Sequence, residues 1–95
     1  MDPVEKIMAL KLADFHRSLA TLAPDLGAPE TARDVQIPDT GKTVSISFEA
    51  LPSETLGGLL ALPRARVTLA FDGHTPEQQS AFLARFDQAF QRGGG

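Results

Sequence analysis

Cysteine, tryptophan and tyrosine are absent from this 95-residue chain. Without cysteine the protein has no disulfide, no zinc–thiolate site and no thiolate chemistry, which is consistent with the cytoplasmic location that we predict. Six phenylalanines remain as the only large aromatic side chains available to a core. With 42% hydrophobic residues the chain can bury one small core, and its length predicts a single domain over residues 1–95.

Basic charge is also scarce, since 9 Lys and Arg residues face 12 Asp and Glu residues and the net charge is −3. This balance lacks the basic footprint of nucleic-acid binding, so we predict no nucleic-acid partner. Long apolar runs are missing too, and none approaches the ~20 residues of a membrane span. The first eight residues lack the basic and apolar regions of a secretory signal. We therefore expect no membrane partner.

The stretch from 62 to 90 predicts one strand, one tight turn and one helix, and it is the expected folding centre. Three apolar residues of its first part recur at every second position: Val67, Leu69 and Phe71. This is the period of a half-buried strand, which we predict over residues 65–72. The Asp-Gly-His sequence that follows interrupts the alternation and predicts the turn.

A capping box predicts where the next helix begins. Thr75 is the expected N-cap, with Pro76 at the first helical position and Gln78 reaching back to the cap. Three phenylalanines then recur at every fourth position: Phe82, Phe86 and Phe90. They predict one apolar face of a helix over 76–92, with Phe86, the middle of the three, as the most buried.

A second helix-capping signature begins at Asp2. Asp2 precedes Pro3, and Glu5 occupies the third position of the helix that these residues predict. We expect this helix over residues 3–22, ended by Pro24. A loop is then expected, because the next ten residues contain two prolines, a glycine and few apolar side chains.

Most apolar residues of this N-terminal helix would form one stripe along its surface, and two would lie outside it. The stripe repeats at intervals of three and four residues: Val4, Met8, Leu12, Phe15, Leu19 and Leu22. Ile7 and Leu10 lie off it. The ordinary interpretation is a wide face that packs on the core. The alternative is that the additional apolar surface contacts a second chain.

The middle of the chain predicts a β-hairpin with strands over 33–38 and 43–50. In the expected turn, Pro38 fixes φ, Asp39 bonds its own backbone and Gly41 adopts the left-handed conformation. The apolar residues of the second strand alternate with Ser and Glu. One face of the hairpin is therefore predicted to be polar and solvated.

Residues 51–63 connect the second strand to the third, and we predict a short helix here with Ser53 as its cap. Gly57 and Gly58 would each disfavour that helix by about 1 kcal/mol. The element order is then α-β-β-(short α)-β-α. It predicts an α+β, two-layer sandwich in which N- and C-terminal helices cover a small, mainly antiparallel, three-stranded sheet. The glycines at 93–95 are expected to fray.

Asp72 and His74 form a candidate polar site at the turn between the third predicted strand and the C-terminal helix. Helix N-termini attract anions, and histidine titrates near neutrality. The ordinary interpretation is a solvent-exposed turn, because one Asp and one His are too few to hold a metal. We therefore predict no metal, no cofactor and no catalytic residues. An enzyme using this pair with a carboxylate such as Glu77 is the least favoured hypothesis.

Without a catalytic motif, the sequence favours a non-enzymatic protein–protein interaction or adaptor domain. Its partner is predicted to be another protein or a second copy. The expected partner surface combines two apolar and two basic residues: Ile7, Leu10, Arg64 and Arg66. The alternative is a small-molecule binding or regulatory domain with a pocket between the sheet and the 51–63 connector.

Overall fold

A computed structural model describes residues 3–27, 29, 31–56 and 60–94, which form an α+β fold. One four-stranded antiparallel sheet, in the order β1-β4-β3-β2, is combined with two helices. The elements are β1 (Val4–Met8), α1 (Leu12–Leu22), β2 (Asp34–Asp39), β3 (Lys42–Leu56), β4 (Leu60–Asp72) and α2 (Pro76–Gly94). The α+β class is confirmed, whereas the prediction of three strands and an additional short helix is wrong.

The predicted helix over 3–22 begins too early, because Val4–Met8 is a strand that pairs antiparallel with β4. Two residues four positions apart, such as Val4 and Met8, share a side of a strand as well as a face of a helix. Their spacing therefore could not distinguish the two structures. Residues 4–8 form a strand because they pair with β4, which is more than fifty residues away in the chain. The proposed N-cap, Asp2, lies outside the described residues.

The helix predicted within 51–63 is also wrong for the described residues. Residues 51–56 continue β3, and residues 60–63 belong to β4. The pairing of Leu51 with Arg64 shifts by one position at a β-bulge before Glu54 pairs with Leu62. The Gly-Gly sequence between the two segments is typical of a hairpin loop as much as of a weakened helix. The direction of β4, which the sequence left open, is antiparallel to β3.

The first hairpin closes through a two-residue loop, because Asp39 pairs with Lys42. Thr40 and Gly41 have φ of 52° and 76°, the left-handed conformations that short hairpin loops require. The predicted conformation of Gly41 is confirmed. Pro38 lies in the strand rather than in the loop, at a sheet edge where its missing N–H is tolerated.

All six phenylalanines enter one core between the sheet and the two helices. Phe15 of α1 packs on Phe48 of β3 with ring centroids 5.2 Å apart. Phe82 of α2 packs edge-on against Phe71 of β4 at 5.8 Å. Because β1, β2, β3 and β4 turn alternate residues toward this core, both helices lie on the same side of the sheet.

The C-terminal helix begins as predicted. The Gln78 backbone N–H donates to Thr75 Oγ1 at 3.2 Å, and the Thr75 N–H donates to Gln78 Oε1 at 3.0 Å. Phe86 is fully buried, and its ring stacks on Phe90 with centroids 4.1 Å apart. The helix extends to Gly94, two residues beyond the expected end.

Candidate functional site

The side of the sheet opposite the helices is not covered by any helix that the structure describes. We call it the outer face. It consists of the residues that alternate with the core positions: Glu5, Ile7, Asp34, Gln36, Pro38, Thr43, Ser45, Ser47, Glu49, Leu51, Arg64, Arg66, Thr68, Ala70 and Asp72. Small Ser, Thr and Ala side chains occupy its centre. Ile7, Glu49 and the two arginines lie at one end, Asp72 lies at the other, and Glu5 and Asp34 lie at the two edges. This arrangement leaves a surface of mainly polar side chains open to solvent.

Ile7 and Arg66 are directly opposite each other in the β1–β4 ladder. Among the described side chains, Ile7 is the only large hydrophobic one that is exposed, at 52%. Arg64 lies two positions before Arg66 in β4 and is half-buried. The structure thus brings together three of the four residues of the predicted partner surface.

Leu10, the fourth residue of that predicted surface, is placed differently. It is only 2% exposed and belongs to the core. Leu10 follows β1 and precedes α1, so neither it nor Ile7 lies on a helix. The expectation that Leu10 lies off the core is therefore wrong, and so is the helical surface to which it was assigned.

Arg66 organises the charges at this end of the outer face. Its Nη1 donates to Glu49 Oε1 of β3 at 2.6 Å, and its Nε lies 3.9 Å from Glu5 Oε1 of β1. The guanidinium thus links the two strands that flank β4. All three side chains remain substantially exposed, so their attraction is weakened by water and they stay available to a further charged group.

The β3–β4 hairpin extends beyond both of its neighbours. β2 pairs with β3 only as far as Ser47, and β1 pairs with β4 only from Ala65 to Leu69. Within the described residues, 51–56 and 60–64 pair only with each other. We call this two-stranded segment the ribbon. Ala50 is exposed although it continues the core-facing alternation of β3, so the helices end their coverage where the ribbon begins.

The candidate polar pair at the β4–α2 turn is separated by the fold. Asp72 is exposed, whereas His74 is 3% exposed and packs edge-on against Phe71. The partner of His74 is Asp39 of the β2–β3 hairpin, whose Oδ2 lies 3.1 Å from His74 Nε2. The expected exposed turn is therefore observed for Asp72 but not for His74.

Asp39 is the residue that the sequence analysis missed. Its Oδ1 accepts from Arg85 Nη1 of α2 at 3.2 Å, and its side chain is 9% exposed. His74 and Arg85 are 35 and 46 positions away from Asp39 in the chain. A local sequence pattern therefore could not predict these contacts. The hairpin motif indicated Asp39 only as a turn residue that bonds its own backbone.

The Asp39–His74 pair is a structural link rather than an exposed catalytic dyad. His74 Nε2–H donates to the carboxylate in the tautomer that the contact implies. Its other nitrogen, Nδ1, is buried and has no hydrogen-bond partner among the described residues. The imidazole is fully buried, so neither nitrogen is open to solvent. The pair ties the β2–β3 turn to the start of α2.

A half-open groove lies between α1 and the segment that follows it. Its volume is about 720 Å³. Its lining is mainly apolar, with two basic side chains and a threonine: Leu12, Ala13, His16, Arg17, Leu19, Ala20, Ala23, Pro24, Leu26, Gly27 and Thr31. His16 Nε2 lies 2.7 Å from the Ala32 carbonyl oxygen, and this hydrogen bond holds the far side of the groove to the helix.

The alternative function considered from the sequence placed a pocket elsewhere, between the sheet and the 51–63 connector. Residues 51–56 and 60–63 are strands of the sheet itself, so they do not form a separate connector over it. In the described part of the chain, no three His, Cys, Asp or Glu residues come close enough to hold a metal ion. None of the described helices is long and apolar enough to cross a membrane.

Comparison of the chain with models of known protein families, with curated proteins and with solved structures finds no match.

Proposed function

We propose that the protein is a small non-enzymatic interaction domain that binds a protein partner through the outer face. The observation that carries this proposal is the position of Ile7, which is 52% exposed and directly opposite Arg66 on an uncovered sheet. Protein interfaces have an apolar centre with a polar and charged rim, and Ile7 with Glu5 and Arg66 beside it supplies such a centre on the uncovered sheet. The buried state of His74 removes the main support for an enzyme.

The proposal predicts where a partner will be captured. A photo-reactive phenylalanine analogue placed at position 7 should form covalent adducts with a protein in the source cell. The same analogue at Gln88, which is exposed on the helical side of the molecule, serves as the matched control. Mass spectrometry of the adducts identifies the partner and distinguishes a foreign protein from a second copy of the chain.

Adducts from position 7 that are lost when an excess of unlabelled wild-type protein is added, but not when Ile7→Lys protein is added, support the proposal. Equal yields from positions 7 and 88 would show that the outer face has no preferred partner. Since Ile7 is half exposed on a five-residue edge strand, substitution there should leave the fold intact, which a circular dichroism spectrum checks.

The α1 groove supports a second candidate function, the binding of a small apolar molecule. A volume of about 720 Å³ lies in the range of ligand sites, and apolar lining with few polar groups is typical of them. Native mass spectrometry of gently purified protein should then show a bound mass. Ala20→Phe, which places a large ring in the groove, should abolish it, whereas Ser80→Phe on α2 should not. An unliganded spectrum from the wild type contradicts this candidate.

A further inference from the structure

Ile7 lies on an edge strand of the outer face and not at its centre. β1 is the last strand in the order β1-β4-β3-β2, and among the described strands it pairs only with β4. A partner laid over the centre of the face would leave Ile7 at the margin, whereas a strand added beside β1 would cover it. Edge strands present unpaired backbone N–H and C=O groups, which makes such an addition possible.

The pairing within the sheet determines which backbone groups of β1 are unpaired. The Phe48 N–H donates to the Arg33 carbonyl oxygen at 2.7 Å, so Phe48 directs its backbone groups toward β2. In an antiparallel ladder, two opposite residues either bond each other or both direct their groups away from each other. Val67 is opposite Phe48 and therefore bonds toward β1, where its partner is Lys6.

Glu5 and Ile7 direct their N–H and C=O groups away from the sheet, because they flank Lys6 and neighbouring residues of a strand point to opposite sides. The other edge of the sheet is less suited to pairing. By the same alternation Pro38 occupies an outward position of β2, and it has no N–H to donate. On β1 the alternation of exposed and buried residues continues through Ala9, so a paired strand can extend from Glu5 to Ala9.

Two copies of β1 can pair antiparallel about a two-fold axis in three registers that overlap at least three residues of the strand. They are centred on Glu5, Lys6 or Ile7. The first sets Glu5 against Glu5 and the second sets Lys6 against Lys6, and like charges directly opposite are unfavourable. The third sets Ile7 against Ile7 and Lys6 against Met8. Glu5 then faces Ala9, so no like charges are directly opposite.

The Ile7-centred register is also favourable beyond the two paired strands. Met8 is opposite Ala65. The next residue, Ala9, therefore lies beside Arg64 when the register continues. Glu5 of one copy then shares a row of the outer face with Arg64 of the other copy, and only the small Ala9 lies between them. Two strand spacings of ~4.8 Å separate their backbones, a gap that long glutamate and arginine side chains can span. The contact occurs twice.

The charge of Lys6 is compensated within each copy. Asp87 Oδ1 of α2 lies 3.0 Å from Lys6 Nζ on the core side of β1. In the Ile7-centred register the two Lys6 residues lie diagonally across the strand pair, about 7–8 Å apart, and each retains its own carboxylate. The lysines therefore do not prevent this register.

From these observations we infer that the partner of the outer face is a second copy of this chain, added through antiparallel pairing of the two β1 strands with Ile7 opposite Ile7. This inference rests on the proposed function and names its partner. Two four-stranded sheets then continue as one sheet of eight strands, and the exposed isoleucines cover each other. One strand pair is a small contact, so the dimer is weak and depends on concentration.

Cysteine cross-linking tests the register, because the chain has no cysteine of its own. Opposite residues of a hydrogen-bonded pair lie ~5.5 Å apart at Cα, a distance that a disulfide spans. Ile7→Cys protein should therefore form a covalent dimer on mild oxidation, whereas Glu5→Cys protein should not. Gln36→Cys is the matched control, since Gln36 is exposed at the opposite edge of the sheet, and it should remain monomeric.

Two results of this experiment contradict the inference. A covalent dimer that forms only when Glu5→Cys and Ile7→Cys proteins are mixed would indicate the Lys6-centred register instead. Equal cross-linking of Ile7→Cys and Gln36→Cys proteins would show random collision without a preferred contact.

Removal of the outward N–H of Ile7 tests strand pairing without changing any side chain. A synthetic peptide of residues 1–8 with N-methyl isoleucine at position 7 is ligated to protein that begins with cysteine at position 9, and desulfurisation then restores Ala9. Because the methyl groups remove two hydrogen bonds and hold the strands apart, the dissociation constant should rise about tenfold or more. Sedimentation from micromolar to millimolar concentration measures it against unmethylated protein made in the same way. Equal thermal melts of dilute samples show that the monomer is intact.

The outcomes separate this inference from the proposed function. A wild type that remains monomeric up to millimolar concentration, or a dimer that N-methylation does not weaken, overturns pairing of two copies through β1. If position 7 then still forms adducts with a foreign protein, the proposed function stands and only the inference fails. If position 7 captures nothing and the chain is monomeric, both are wrong.

Discussion

Phe86→Ala is expected to lower the free energy of unfolding by about 3–5 kcal/mol. Phe86 has no exposed surface and stacks on Phe90 with ring centroids 4.1 Å apart. Truncation removes buried apolar surface and leaves a cavity between α2 and the sheet, which a tightly packed core relaxes only in part. Since a domain of this size has a total stability of roughly 5–15 kcal/mol, the loss is a large fraction of it.

Urea unfolding of the wild type and the variant measures this loss. Phe86→Leu retains most of the buried volume and should lose less, so it keeps the comparison quantitative if the alanine variant does not fold. Gln88→Ala on the exposed side of α2 is the control, and its effect should stay within about 0.5 kcal/mol. A midpoint for Phe86→Ala that coincides with the control would contradict the burial of the phenylalanine face.

Asp39→Ala is expected to lower the free energy of unfolding by about 2–3 kcal/mol. The substitution removes the carboxylate that accepts from His74 Nε2, 3.1 Å away, and leaves a fully buried imidazole without that partner. The contact to Arg85 contributes little to this figure, because the arginine side chain is 53% exposed. The effect therefore comes mainly from the buried histidine.

Two further variants separate these contributions. Arg85→Ala should cost less than about 1 kcal/mol. Asp39→Asn retains an oxygen acceptor for His74 and should lose less than Asp39→Ala. A double-mutant cycle between Asp39 and His74 measures their coupling directly. If Asp39→Ala destabilises the protein no more than Arg85→Ala does, the Asp39–His74 link makes no special contribution to stability.

The two predictions depend on different kinds of information. The phenylalanine face was visible in the sequence, because residues four positions apart on a well-capped helix share one face whatever surrounds the helix. The role of Asp39 was not visible, because its partners lie far away in the chain. A turn residue whose side chain bonds its own backbone and one that bonds a distant histidine have the same local sequence.

Local patterns by themselves determined the α+β class, the first hairpin, the third predicted strand and the capped start of α2. Each of these elements combines a period with a specific turn or cap, for example the Thr75–Gln78 box and the left-handed Gly41. In such segments the intrinsic preferences of the backbone agree with the tertiary structure. These elements also placed the core on one side of the hairpin and the polar residues on the other.

Only the tertiary structure decided the state of residues 4–8, 51–56 and 60–63. The sequence of both regions carries helix signals, yet residues 4–8 join β4 as an edge strand, and residues 51–56 and 60–63 lengthen β3 and β4. The spacing of Val4 and Met8 fits either structure, and so do the glycines at 57 and 58. In both cases the long-range ladder with β4 satisfies the backbone hydrogen bonds and outweighs weak local preference. This pairing also moves Leu10 into the core and leaves Ile7 beside Arg66 on the outer face.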